Sequence, residues 1–490
     1  MRELYQNIKV KKELRSSLIG LKALIKTEVG RQQLLAISKK NLDPVMYCLA
    51  ESDPKVRKNA AIILGKIKWQ PATEVLLDAY EAEETQFVRP EYIHALSKLK
   101  IIPYLPFFEA RLQQLLKEET VQETQKHIQA EIDALEELLL INGKNRHEFQ
   151  GYHQPFDCYV KMLPAFVAPS EKIVTSKHKA LKNGIRILTD SIEDLYEIRC
   201  IQEVLCLTSQ KKRVAFQPEI IADAILTSDF TEQLQQAHSG KGPFAFRIGI
   251  TGGILEGKEK TEFIQNLAKR LVEGSGRCLI NSSSHYQVEI RLEVNSDSQC
   301  QIFYKLFTLP DHRFEYRKEC LSTDMQPEIA AGLVSLAKPY LKAHAQVLDP
   351  FCGTGNLLIE RSFAIPTRSS YGIDTYADAI RIARAASSVT GMNHNYIHRD
   401  FFDFHHEYLF DEIWADFPRM EKDRTKMDQW YGRFFDKIEE LLSQKSRLFL
   451  YTCESNLIKK QLRLHPYYRI LLETSVSAKG KTVFFILERD

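Results

Sequence analysis

The chain has 490 residues, 44% hydrophobic and 27% charged, with a formal net charge of +3. That length exceeds one ordinary hydrophobic core and predicts roughly three or four domains, and the apolar content excludes a disordered chain. The near-balanced charge is compatible with an anionic partner without requiring one.

Nine cysteines are scattered with no CxxC spacing, which argues for buried thiols in a reducing compartment and against a disulfide framework or zinc site. The histidines show no ligand spacing, so no metal is expected. Charges at Arg2 and Glu3 occupy the place where a signal peptide needs its apolar core. No apolar run reaches the roughly 18 residues of a membrane span. A cytoplasmic protein with no membrane partner is expected.

From residue 1 to about 145, apolar residues recur at three- and four-residue spacing with little glycine, which predicts helices. Val56-Arg57 leads into Ala60, Ala61, Leu64 and Gly65, and Val88-Arg89 leads into Ile93, Ala95 and Leu96. Such a pair of copies suggests stacked helical hairpins that resemble short HEAT-type repeats. An irregular helical bundle is the other reading. Either would serve as an interaction module for a protein partner. A long helix is expected over 118–140, stopping near Asn142-Gly143.

The pattern then changes. Strand-like runs at 184–188 and 203–207 flank a helix near 192–198. Helices are expected at 220–226, 230–237 and 258–273, with strands at 244–249, 286–294 and 301–308. That order suggests small α+β domains. From about 321 onward strands and helices alternate in the doubly wound manner. The chain closes on strand runs at 468–473 and 483–488, with Ser477-Ala478-Lys479-Gly480-Lys481 between them, a hairpin that would add an antiparallel edge.

The most informative run is Val347-Leu348-Asp349-Pro350-Phe351-Cys352-Gly353-Thr354-Gly355-Asn356. A short apolar strand is stopped by Asp349-Pro350. Gly353 and Gly355 permit positive φ and close approach to a ligand, and a helix follows at Leu357. Ligands of open α/β sheets sit outside the carboxyl ends of the strands, where this turn lies. Asp374 ends the next strand and Asp400 the one after. A carboxylate at the second strand end suits both hydroxyls of a ribose. One at the third suits an adenine amine, with Phe401 beside it. Each aspartate alone would equally serve as a helix cap. Three acids in register with a glycine turn predict a nucleoside cofactor. The leading acid suits a cationic amine better than a pyrophosphate, and no GK[ST] follows. S-adenosylmethionine fits. Cys352 reads as a small residue filling the turn rather than a nucleophile.

DPFCGTGN closely resembles the first motif of the THUMP-associated RNA methyltransferases, Rossmann-like enzymes that methylate guanine N2 in tRNA and rRNA, with a UPF0020-like catalytic domain. Arg313-Phe314-Glu315-Tyr316-Arg317 and the run from Met325 to Ala331 are similar to that family's entry into its catalytic domain. Residues 215–310 are loosely similar in element order to a THUMP domain. The resemblance implies that Asp349, Pro350, Phe351, Cys352, Gly353, Thr354, Gly355, Asp374, Asp400 and Phe401 line an S-adenosylmethionine pocket. The family carries [ND]PP[YF] after the fourth strand, where this chain has Asp416-Phe417-Pro418-Arg419. By resemblance, Asp416, Phe417 and Pro418 form the catalytic segment, Asp416 orienting an exocyclic amine.

Arg419 replaces the aromatic that would stack on a flipped base. Stacking must then come from Phe417, from Trp430 or Tyr431 on a mobile loop, or from the Arg419 guanidinium. Phe417 could instead be core. Lys211-Lys212-Arg213 and Lys318 add positive charge, and Arg313, Tyr316 and Arg317 are expected to touch RNA.

The expected organisation is multidomain: N-terminal α-helical repeats at 1–148, a small ferredoxin-like α+β domain at 149–214, a THUMP-like domain at 215–310, and a C-terminal Rossmann-like α/β methyltransferase at 311–490. The expected function is S-adenosylmethionine-dependent methylation of structured RNA, tRNA or rRNA, at an exocyclic base amine. The alternatives are a non-catalytic RNA-binding scaffold with a degenerate transferase domain, or a methyltransferase for DNA or protein.

Overall fold

A computed structural model describes residues 1–117, 125–142, 147–210, 212–240, 242–253, 255–419, 423–476 and 481–490. They form two compact units. The first comprises 1–148, 214–290 and 294–299, the second 149–213, 291–293 and 300–490.

In the first unit, helices from Arg2–Lys9 to Gln125–Asn142 enclose one apolar core. The two Val-Arg pairs begin helices Pro54–Ile67 and Arg89–Leu96, which pack so closely that a Cβ on Gly65 would lie 2.7 Å from Ala95 Cα. Each arginine reaches a buried acid: Arg57 donates to Glu83 at 2.6 and 2.8 Å, and Arg89 to Glu131 at 3.3 Å. The expected start of the last helix at 118, and its stop at Gly143, lie outside the described residues. The same unit holds helices Pro218–Leu226, Phe230–Gln236 and Gly257–Gly274, and strand Phe244–Thr251 running parallel to Leu279–Asn281.

The second unit contains an antiparallel sheet in which Lys177–Leu181, Gly184–Thr189, Phe156–Lys161 and Glu203–Leu207 pair in that order, and Tyr304 registers with Cys206. The helix expected near 192–198 is only a 3-10 turn, Glu193–Glu197.

The C-terminal sheet of this unit positions the candidate site. Its strands are β1 (Ala345–Asp349), β2 (Thr367–Asp374), β3 (His394–His398), β4 (Phe410–Asp416), β5 (Leu442–Thr452), β6 (Tyr468–Ser475) and β7 (Val483–Arg489). They lie in the order β3-β2-β1-β4-β5-β7-β6, the first five parallel and β7 antiparallel to both neighbours. This is the doubly wound α/β sheet the sequence predicts, closed by the expected antiparallel hairpin; its turn at 477–480 lies outside the described residues. Helices α1 (Pro327–Ala337), α2 (Asn356–Ala364), α3 (Ala377–Thr390), α4 (Arg424–Glu439) and α5 (Ser455–Leu464) accompany the strands.

One buried ion pair ties α2 to β4. Arg361 and Glu412 have fully buried side chains and meet at 2.7 and 2.9 Å. The remaining Arg361 donors reach the carbonyls of Ile365 and Lys342. Glu412 also accepts from Trp414 Nε1 and Lys342 N. Removing one partner strands a buried charge, which costs about 3–5 kcal/mol. Arg361→Ala and Glu412→Ala should each lose that much in urea unfolding, and the double variant clearly less than their sum.

Candidate active site at the strand ends

All of β1 is buried, and its last residue ends in a carboxylate with almost no exposure (1%). Asp349 Oδ1 accepts from Phe351 N at 3.0 Å, folding the chain over the strand end. Burial pushes the Asp349 carboxyl well above its usual range. The bond from Phe351 opposes that shift, and the charges of Asp416 and Asp374 add to it. Pro350 breaks the strand at this point, where no ladder donor is needed.

The turn that follows depends on its glycines. Gly353 has φ +51° and Gly355 φ +83°, both in the left-handed region. A Cβ on Gly355 would lie 2.4 Å from the Tyr396 hydroxyl, and one on Gly372 2.7 Å from the Tyr396 ring. The turn backbone therefore rests on Tyr396, a buried residue of β3 whose hydroxyl bonds Ser387 Oγ at 3.0 Å. Sequence reasoning missed this floor. Its one signal was a glycine inside β2, a position where glycine marks close approach.

Asp374 closes the turn from β2. Its Oδ2 accepts from Gly353 N at 2.9 Å and its Oδ1 from Tyr376 N at 2.8 Å. It thus braces the glycine turn and the chain entering α3, while each oxygen keeps lone-pair capacity. Asp400 lies two residues beyond β3 and caps the 3-10 turn Phe401–Asp403 through Phe402 N at 2.9 Å; its side chain remains exposed. Thr354 Oγ1 is buried without a partner. Asn356 Nδ2 donates to Met325 O at 2.9 Å, tying the turn to the segment before α1. Cys352 is buried, and its thiol is pushed well up by burial and by Asp349 and Asp374. It fills the turn.

Asp416 ends β4 and is half-buried. Burial pushes its carboxyl up to about 7, against the lowering effect of Arg419. Pro418 and Arg419 are exposed.

Three expectations need correction. Phe417 is 6% exposed and stacked on Tyr431 at 4.9 Å, so it is core and offers no free face. Phe401 is likewise core, edge-on to Phe351 at 5.7 Å. Trp430 and Tyr431 lie on helix α4 rather than on a mobile loop, and the Tyr431 hydroxyl is held by Thr452.

The basic segment is also internal. Tyr316 is buried, with its hydroxyl donating to Glu360 at 2.9 Å. Arg313 donates to the carbonyls of Arg199 and Ile201 and to Asp311. Arg317 faces Gln326 at 3.4 Å and Asp324 at 4.0 Å. These side chains hold the entry to the domain together, and RNA contact by Arg313, Tyr316 and Arg317 does not fit their burial and partners. Lys211 lies outside the described residues.

The site suits S-adenosylmethionine on three observations. Gly353 is open, a Cβ there meeting only Asp324 Oδ1 at 3.8 Å, Thr354 has an unpartnered buried hydroxyl, and Asp349, Asp374 and Asp416 lie close enough for their charges to interact, an arrangement a cationic ligand favours.

Residues 315–481 match the UPF0020 family, described as RMKL-like, methyltransferase domain. No curated protein matches the sequence. Among solved structures, TrmN from Thermus thermophilus is similar at 19% identity, with TM-score 0.53 over 69% of this chain and 100% of that one. SMU.472, solved with SAH, is similar at 14% identity and TM-score 0.50, over 68% of this chain and 97% of that one. A protein described as a predicted N6-adenine-specific DNA methylase from Listeria monocytogenes is similar at 13% identity and TM-score 0.50, over 68% and 96%. Residues 315–481 therefore match a methyltransferase family model, on a fold shared with these solved structures.

Gly355→Ala forces both a left-handed alanine and a clash with Tyr396. It should abolish S-adenosylmethionine binding in calorimetry, whereas Cys352→Ala should change the dissociation constant less than about threefold.

Proposed function

We propose that the protein transfers a methyl group from S-adenosylmethionine to an exocyclic base amine, such as guanine N2, in structured RNA, with tRNA favoured over rRNA. The observation that carries this reading is Asp416, a half-buried carboxylate at the end of β4, close enough to Asp349 of the cofactor turn for their charges to interact. The resemblance of Asp416-Phe417-Pro418 to an amine-methylating motif supports it.

The cofactor, when bound, supplies a methyl group already activated on a sulfonium. Asp349 and Asp374 would face its cationic and hydroxyl groups, Asp400 its adenine amine, and Gly353 and Gly355 would let it approach the turn backbone. Asp416 has the harder task. An amine conjugated to a purine is a poor nucleophile, and accepting its N–H localises the lone pair toward the methyl carbon. Pro418 fixes the backbone after β4, and the buried Phe417 anchors the segment in the core. Holding amine and methyl in line contributes most of the remaining acceleration. Residues 215–310 would bind the RNA as a THUMP-like module, 149–214 would form the small domain beside it in sequence, and 1–148 would recruit a protein partner through HEAT-like repeats.

Labelled methyl transfer onto bulk tRNA tests the reading. Asp416→Ala should lose about a hundredfold in kcat, and Asp416→Asn, which keeps an acceptor oxygen, should lose clearly less. Equal rates in parent and Asp416→Ala would remove Asp416 from the mechanism. A protein that labels single-stranded DNA and no RNA would favour the DNA alternative.

The ionised carboxylate is the stronger acceptor, so the parent rate should rise with pH through about 7, the value to which burial pushes Asp416. The Asp416→Asn profile should lack that step. Because the folded state holds the proton above the ordinary 3.8, this group lowers fold stability as pH rises from 3.8 to 7.

A further inference from the structure

Helix α4 follows the Asp416 segment and has two distinct faces. Met427, Tyr431, Phe434, Phe435 and Ile438 are buried. Lys426, Trp430 and Arg433 follow one another at i, i+4 and i+7 on another stripe; Lys426 and Arg433 are exposed and Trp430 is half-buried. Trp430 therefore sits where the basic stripe meets the core.

Its neighbours connect it to both halves of the site. The Trp430 ring lies 5.3 Å from Phe351 of the cofactor turn and 5.8 Å from Phe417 beside Asp416. It meets Phe402, one residue past Phe401, edge-on at 5.8 Å. The Arg433 guanidinium lies over Phe402 at 4.1 Å. The residues otherwise available for stacking on a base are Phe417 and Tyr431, and both are buried against each other.

We infer that the Lys426–Trp430–Arg433 stripe, with Phe402, is the platform that receives the target nucleotide: Trp430 stacks on the base, and Arg433 and Lys426 hold the flanking phosphates. Trp430 supplies the aromatic face that Arg419 cannot, from a helix rather than from the strand-end motif. Stacking on an indole tolerates any base, so Trp430 sets affinity while Asp416 selects the amine. One face of the indole is stacked near-parallel on Phe434 at 6.1 Å, so the base takes the other, and the cation above Phe402 adds phosphate attraction. This inference rests on the proposed RNA substrate.

The experiment measures KM and kcat for bulk tRNA, and the S-adenosylmethionine dissociation constant, for the parent, Trp430→Leu, Trp430→Phe and Arg433→Gln. Trp430→Leu keeps apolar volume against Phe434; emission from the two remaining tryptophans, of which Trp414 is fully buried, reports an intact core. Trp430→Leu should raise KM on the order of tenfold, with cofactor binding unchanged and most of the loss restored in Trp430→Phe. Arg433→Gln should raise KM and reduce the salt slope of binding by about one. Unchanged KM in Trp430→Leu, or loss of cofactor binding that accounts for the lost activity, overturns the inference. If the parent labels tRNA and the variants match it, only the platform is wrong. If the parent labels no RNA, the substrate reading and the platform fall together.

Discussion

The Arg361–Glu412 ion pair holds the rest of the site in place. Arg361 lies on the helix that begins at the glycine turn, and Glu412 on the strand that ends at Asp416. Both side chains are fully buried, so the pair is viable only because every charged atom has a partner: two bonds to each other, two carbonyls for the arginine, and the Trp414 and Lys342 donors for the carboxylate. Such a lock permits one relative position of helix and strand. It sets the distance between the turn that would hold the methyl donor and the acid that would orient the acceptor. An apolar pair of similar volume could match its stability, but would lack these directional bonds.

Electrostatics at the strand ends follow from that placement. Burial raises the Asp349 and Asp416 carboxyls, and the charges of Asp416 and Asp374 add to the shift at Asp349. Backbone donors offset part of this: Phe351 N serves Asp349, and Gly353 and Tyr376 serve Asp374. What remains is a group of neighbouring carboxyls whose interaction a cation would relieve. This is the physical content of the preference for S-adenosylmethionine over a dinucleotide, whose pyrophosphate would add negative charge to the cluster.

Much of this was legible in the sequence because it is local. The glycine turn, the strand-ending aspartates and the closing hairpin each declare themselves within a few residues. What escaped depends on distant partners. Tyr316 and Arg313 look like an RNA-facing basic patch until Glu360, 44 residues away, and the Arg199 and Ile201 carbonyls claim them. Tyr396 looked like an ordinary strand residue, yet two glycines from different elements rest on it. Phe417 and Tyr431 were ambiguous between stacking and packing, and a parallel stack at 4.9 Å decides for packing. Trp430 was one of several candidates for base stacking. Its place at the margin of an amphipathic helix, rather than on a loop, could be seen only once the buried face of that helix was known.

The chemistry proposed for this site leaves a specific mark on its product. Incubating the purified protein with methyl-labelled S-adenosylmethionine and unmodified tRNA, then digesting to nucleosides and separating them by mass spectrometry, reads that mark directly. The account predicts label on an exocyclic base nitrogen, such as N2-methylguanosine. Label on a ring atom or a ribose hydroxyl, or no labelled nucleoside from the tRNA, would contradict it.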